Sequence, residues 1–306
     1  MRGDKEAGCF DILRTDLFCE NGTPVCNIFN GGSAFTVDEN LFMTDPFSYC
    51  NSAFRKIFFG LLESERKEFL NIIRTAKPNL SSSEFPDFTF KNGFIEHFQI
   101  TSSKTTRKGA THARKEASFQ RGVEREIEKL KVLWSENPCF EEIRSESWEF
   151  QNPEHSHDFL MASFKQNLER HLESRANYSG NKDIGIFMVE YPEIALAMAE
   201  NIYCGWIDGM SNGDIRDEEN FKEYRLSRDK KLLNYIHDFK DAIKYVIFVN
   251  NARCEVIRTE NIPHLLRIMP WDYSIYTMHG GIVSTVSCIT RSKSFAGEET
   301  GNGKTC

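Results

Sequence analysis

Two stretches of this chain admit few folds. Ile184 to Val189 reads Ile-Gly-Ile-Phe-Met-Val, and Tyr245 to Val249 reads Tyr-Val-Ile-Phe-Val; both are apolar runs of strand length. A strand with water on one side alternates polar and apolar residues, so a run without alternation needs cover on both faces. Helical stripes supply that cover. Leu160, Phe164, Leu168 and Leu172 recur at i+4 within a helix expected over His157 to Tyr178, and Val123, Ile127, Leu130 and Leu133 mark another over Gly122 to Trp134. Between Ser52 and Thr75, Phe54, Ile57, Phe58, Leu61, Leu62, Phe69, Leu70 and Ile73 also follow helical spacing, with a break near Ser64. The expected class is therefore α/β, a central mixed β-sheet flanked by helices.

Phe88 to Phe90 and Phe94 to Thr101 read as two strands of a hairpin turning at Asn92-Gly93. Pro192 to Ile202 and Leu232 to Ile243 are expected helices, Glu136 to Glu154 a loop, and Glu255 to Arg258 and Ser274 to Ile289 weaker β structure. Residues 1–50 carry the turn signals Asn21-Gly22, Gly31-Gly32 and Asp45-Pro46 and are expected to be irregular. Residues 51–291 form the main α/β domain in this reading, and the Gly-, Ser- and Thr-rich stretch 292–306 a flexible tail.

At 306 residues with 25 Phe and 40% hydrophobic content, the chain can bury a sizeable core. Its nine cysteines lack CxxC pairs and follow a charged, polar N-terminus, which points to reduced thiols in a cytoplasmic protein. No apolar run approaches membrane-spanning length, so no membrane partner is expected. There is no GxxxxGK[ST], GxGxxG or GxSxG, which removes support for P-loop, dinucleotide and α/β-hydrolase chemistry. Net charge is −7, yet between His97 and Arg121 the cations Lys104, Arg107, Lys108, Arg114, Lys115 and Arg121 face the single acid Glu116. Such a run is most often a solvated loop; beside a phosphodiester site it becomes a surface for a nucleic-acid backbone.

The candidate site lies between Pro86 and Phe98. Asp87 opens one β segment and Glu96 sits inside the next, where a carboxylate is costly unless paired or bound to a cation. Carboxylates on neighbouring strands of a hairpin can face each other, offering hard oxygen ligands to Mg²⁺ or Mn²⁺. His155-Ser156-His157-Asp158 is a second polar cluster, read as a helix N-cap with histidines in the approach. His97 is expected to pack in the core on the strand face opposite Glu96, and His171 to lie at the surface or its boundary.

Pro86-Asp87 at one strand and Glu96 in the middle of the next resemble the PD-(D/E)XK restriction-endonuclease-like nuclease superfamily. The resemblance implies a restriction-endonuclease-like core, here with an irregular N-terminal extension, and metal-dependent hydrolysis of nucleic acid, DNA foremost. It further implies a restriction or anti-phage defence setting, with a homo-oligomer or a defence-system protein as possible company. Asp87 and Glu96 take the family's metal-binding places. The family's lysine two residues after the glutamate is Phe98 here. Lys165 is the preferred replacement, with Lys104 and Gln99 as other possibilities and Glu190, ending the apolar strand, as a secondary acid. Lys104, Arg107, Lys108, Arg114 and Lys115 would contact phosphates. One rival is a noncatalytic nucleic-acid-binding or assembly protein that keeps the fold; another is a metal-independent enzyme or interaction module in which Asp87 and Glu96 are structural.

Overall fold

The computed structural model describes residues 4–18, 58–79, 84–136, 143–150, 153–193, 195–203, 215–221, 223–250, 253–268, 273–277 and 282–289. Its helices are α1 (Asp4–Leu17), α2 (Glu63–Thr75), α3 (Thr111–Glu136), α4 (His157–Asn177), α5 (Lys230–His237) and α6 (Ile262–Ile268). Its strands are β1 (Phe58–Phe59), β2 (Lys77–Pro78), β3 (Phe88–Phe90), β4 (Gly93–Gln99), β5 (Thr105–Thr106), β6 (Gly109–Ala110) and β7 (Ile143–Phe150). There follow β8 (Ile184–Tyr191), β9 (Leu196–Tyr203), β10 (Ile215–Phe221), β11 (Tyr245–Asn250), β12 (Arg253–Arg258), β13 (Tyr273–Thr277) and β14 (Ile282–Ile289). The chain divides into two units, Met1–Thr105 with Glu154–Met278, and Thr106–Pro153 with His279–Cys306.

The first unit is built on a seven-stranded mixed sheet in the order β1-β12-β11-β8-β4-β3-β2. The two apolar runs lie side by side at its centre: β8 is parallel to β4 and to β11. Each of its faces is a separate core. Phe94, Phe98, Phe187, Val189, Val246 and Phe248 pack with Leu160, Phe164 and Leu168 of α4, Leu232, Leu233 and Ile236 of α5, and Ile262 and Leu265 of α6. On the opposite face Phe88, Ile95, Ile186, Met188 and Ile247 pack with Phe10, Leu13 and Leu17 of α1 and Phe69, Leu70 and Ile73 of α2. Side chains alternate across a strand, so cover on both sides explains why β8 reads apolar without interruption.

Local signals set the boundaries. Ser156 caps α4, its side chain accepting from the Phe159 N–H at 3.1 Å, and Asp229 caps α5 in the same way at 3.0 Å from the Leu232 nitrogen. The hairpin turns at Lys91-Asn92, and Gly93 is already paired with Phe90. A Cβ on Gly93 would lie 1.9 Å from the Ile184 carbonyl oxygen, so glycine is required by close strand approach rather than by the turn.

Several expectations are corrected. Asp4–Leu17 is a helix within the stretch expected to be irregular, because Cys9, Phe10, Leu13 and Leu17 form a buried stripe; residues 19–57, with the remaining turn signals, lie outside the described residues. Phe58-Phe59 pairs in parallel with β12 instead of belonging to a helix. Leu196–Tyr203 is a strand held between β10 and β13, not a helix, since pairing on both edges overrides the helical preference of its alanines and glutamate. The expected loop at Glu136 to Glu154 contains β7, which pairs with β14. The expected basic loop is the β5-β6 ribbon followed by the first turns of α3, which begins eleven residues before Gly122 because Ala113 and Ala117 favour helix without an apolar stripe. Residues 292–306 lie outside the described residues. No helix among the described residues is long and apolar enough to cross a membrane.

Candidate functional site

The segment leading to Asp87 is pinned before the strand begins. Asn79 donates from its side chain to the Pro86 carbonyl at 3.0 Å and from its backbone to the Asp87 carbonyl at 2.7 Å. Phe85 packs its ring on Phe94 and Tyr178, with centroids 4.9 and 5.4 Å away. Phe88 is opposite Ile95 in the ladder, so the next position outward sets Asp87 against Glu96. The two residues are stitched reciprocally. The Asp87 N–H donates to Glu96 Oε2 at 3.1 Å, and the His97 N–H donates to Asp87 Oδ2 at 2.7 Å.

Both carboxyls carry a cost. Burial, then the charge of Glu96, pushes Asp87 up to about 7 against the pull of the His97 N–H. Burial also pushes Glu96, which is 6% exposed, up to about 7 despite its bonds to Asp87. The charge of Glu6, on α1, acts on both in the same direction.

His171 of α4 meets the pair with Nδ1 2.6 Å from Glu96 Oε1. Its Nε2 lies 3.2 Å from a guanidinium nitrogen of Arg170, which can only donate. Nε2 is therefore the acceptor, and Nδ1 carries the proton donated to Glu96. Burial and the adjacent Arg170 charge bring His171 down to about 4, so it stays neutral at physiological pH. The imidazole stacks on Phe98, centroids 5.2 Å apart and planes 16° from parallel. Phe98 thus orients the histidine.

The opposite face of β4 carries a second polar group. Gln99 is the register partner of Glu190 on β8. Gln99 Nε2 donates to Glu190 Oε2 at 2.7 Å, and His97 Nε2 lies 3.0 Å from the same oxygen. Lys5 of α1 donates to Gln99 Oε1 at 3.1 Å. Burial would raise Glu190, but the bonds from His97 and Gln99 outweigh it and hold the carboxyl below its ordinary range. Cys9 Sγ completes a cluster in which one donor atom each of Cys9, His97 and Glu190 lies within 4.8 Å of the others.

The remaining sequence candidates are dispersed. Lys165 places its ammonium over the Tyr235 ring, 4.7 Å from the centroid; His171, six residues along the same helix, reaches Glu96 in its stead. Lys104 lies in the first unit and Arg107, Lys108, Arg114 and Lys115 in the second, all exposed. On α2, which precedes this segment, the acids are engaged elsewhere: Glu65 with the Leu62 N–H and Arg258, and Glu68 with Lys244. The two histidines around Ser156 diverge. His155 Nδ1 lies 2.8 Å from Ser102 Oγ, and His157 Nε2 2.5 Å from Asp229 Oδ2. Ser102, His155 and Glu193 do form a serine, histidine and acid group, but Ser102 is 0% exposed and bonds Tyr191 and Glu193 as well, which makes it a strut rather than a nucleophile.

Sequence reasoning missed His171, Lys5, Glu6 and Cys9. The spacing of Cys9, Phe10, Leu13 and Leu17 was the available signal for a helix that brings three of the four to the sheet. Comparison of the chain with protein families, curated proteins and solved structures finds no match.

Proposed function

We propose that the chain is a divergent PD-(D/E)XK-type nuclease that hydrolyses phosphodiester bonds of nucleic acid, DNA first, using Mg²⁺ or Mn²⁺ held by Asp87 and Glu96. The observation that carries this reading is the convergence of a half-buried carboxyl, Asp87, and a buried one, Glu96, whose ionisation is opposed by burial and, at Asp87, by the charge of Glu96. A divalent cation supplies the missing countercharge, and carboxylate oxygens are its preferred donors. Each carboxylate has about four lone-pair sites, so the bonds from the Asp87 and His97 N–H groups and from His171 leave capacity for a cation. When bound, the ion would offset charge on the phosphoryl oxygens and acidify a water.

The chain's own residues do the positioning. The His97 N–H holds Asp87, and neutral His171, steadied by Arg170 and Phe98, holds Glu96. On the second unit Lys108, Arg114, Lys115 and Arg121 line a groove of about 650 Å³, consistent with contacts to a phosphate backbone. A restriction or defence setting follows from the family resemblance alone, and the cytoplasm from the cysteine pattern.

Purified chain assayed on plasmid, linear DNA, single strands and RNA should cleave with Mg²⁺ or Mn²⁺ and not with EDTA. Asp87→Asn and Glu96→Gln should abolish cleavage. Full activity in either variant would overturn the assignment. The alternative, a nucleic-acid-binding protein without cleavage, is favoured by one observation: Phe98 is 4% exposed and packed against Phe164, so no cation stands at the lysine position. Salt-sensitive binding with no cleavage in either metal would select it.

A further inference from the structure

We propose that Cys9, His97 and Glu190 form a second cation site, for a thiophilic divalent ion such as Zn²⁺, on the face of β4 opposite Glu96. The donors come from α1, β4 and β8, and one atom of each lies within 4.8 Å of the other two. Cys9 is 2% exposed and His97 7%. Zinc bonds of about 2.0–2.3 Å in a tetrahedron put neighbouring ligand atoms roughly 3.3–3.8 Å apart. The His97 to Glu190 distance of 3.0 Å lies just below that range, and the 4.8 Å bound on the cluster lies about 1 Å above it. Side-chain rotations that bring the donors about 1 Å closer close the site.

The donor set selects the ion. A thiolate, an imidazole and a carboxylate suit Zn²⁺ over Mg²⁺ or Ca²⁺, and three protein ligands leave a fourth position for water. Charge balances as well: Cys9 gives up its thiol proton to solvent and binds as thiolate, Glu190 is a carboxylate, and His97 binds as neutral imidazole, so two negative charges meet a 2+ ion. The outer shell is in place. Gln99 fixes Glu190 through a 2.7 Å bond, Lys5 fixes Gln99, and the His97 backbone N–H is anchored on Asp87. On the helix side, Phe10 stacks on Phe88 with centroids 4.3 Å apart, holding the turn that carries Cys9. An ion here pins α1 to the sheet beside the Asp87–Glu96 pair. The bland reading is a His97–Glu190 hydrogen bond next to a core cysteine; it binds no metal.

The site is independent of the nuclease proposal, because its donors include sulfur. Full-length protein, stripped by chelator under reducing conditions, is titrated with Co²⁺. The expected result is a near-ultraviolet thiolate-to-cobalt charge-transfer band with visible bands of a tetrahedral ion, saturating at one equivalent and erased by Zn²⁺. Cys9→Ser should lose the charge-transfer band, while Cys254→Ser, at a buried cysteine outside the cluster, should keep it. Should Cys9→Ser fail to fold, Glu190→Gln carries the test: Zn²⁺ affinity should fall by more than the roughly 10–100-fold that loss of an outer hydrogen-bond partner costs. Glu96→Gln, on the other face of β4, should leave the band intact, which separates this site from the oxygen site. No thiolate band in the wild type, a band that survives Cys9→Ser, or unchanged affinity in Glu190→Gln overturns the proposal.

Discussion

Glu96→Gln should make the metal-free protein more stable at pH 8, although it alters a buried, hydrogen-bonded residue. Folded Asp87 and Glu96 keep their protons up to about pH 7, whereas the unfolded chain releases them near 3.8 and 4.5. Between those limits the folded state binds more protons, so the stability these groups contribute is fully present below about pH 4 and lost as pH rises through 7. For Glu96 alone the displacement corresponds to about 3 kcal/mol at pH 8. The amide still accepts from the Asp87 N–H. Its NH₂, however, faces His171 Nδ1, whose proton cannot move to Nε2 without opposing Arg170. Losing that charge-assisted bond costs about 1–2 kcal/mol, which leaves a net gain of about 1–2 kcal/mol at pH 8 and a net loss at pH 5. Urea unfolding in EDTA at the two pH values measures the difference. Mg²⁺ or Mn²⁺ should reverse the ranking at pH 8, since a ligand at a hundred times its Kd adds about 2.7 kcal/mol to the wild type only. Equal destabilisation by Glu96→Gln at both pH values, or wild-type stability that rises from pH 5 to 8, would refute the reasoning.

Gly93→Ala should destabilise the first unit by about 3 kcal/mol or more, because its Cβ meets a backbone oxygen at 1.9 Å and two central strands must part; denaturant unfolding measures it. Asp229→Asn should cost about 2–4 kcal/mol, since the carboxylate serves His157, the Tyr224 hydroxyl at 2.6 Å and the Leu232 N–H. Burial opposes the Asp229 charge, but those bonds hold its carboxyl below the ordinary range. Its stabilisation is thus present above about pH 4 and lost as pH falls, and the acid limb of the unfolding profile should flatten in the variant. Arg114→Ala and Lys115→Ala should each lower the salt dependence of DNA binding by about one ion, read from affinity against salt concentration, with little change in unfolding. Lys165→Met should leave cleavage unchanged, read in the same plasmid assay, because its ammonium is engaged with Tyr235.

The sheet was legible because periodicity reports burial. β8 and β11 declared themselves by unbroken apolar runs, and α4 by its i+4 ladder and its Ser156 cap. Periodicity failed where pairing partners decided the outcome: Leu196–Tyr203 has the composition of a helix and becomes a strand through β10 and β13. The acids Asp87 and Glu96 were readable because adjacent strands bring positions nine residues apart into contact. Their companions come from α1 and α4, and His171 lies 75 residues from Glu96. No local pattern encodes that distance. Lys165 shares the helix of His171, with its ammonium over Tyr235 of α5.

The alternation of β4 accounts for how so much polar chemistry fits inside a sheet buried on both faces. Glu96 and Phe98 point toward α4, where a neutral histidine and oxygen donors suit a hard cation. His97 and Gln99 point toward α1, where sulfur, imidazole and carboxylate suit a softer one. The backbone of His97 belongs to both, since its N–H holds Asp87 while its ring meets Glu190. A one-residue slip of β4 would exchange the faces, drive Phe94 and Phe98 into the α1 core and strand both donor sets. The register that keeps the apolar residues covered is therefore also the register that keeps the two donor sets apart, and mutations that loosen β4 pairing should disturb both sites together while those in α1 disturb the sulfur site first.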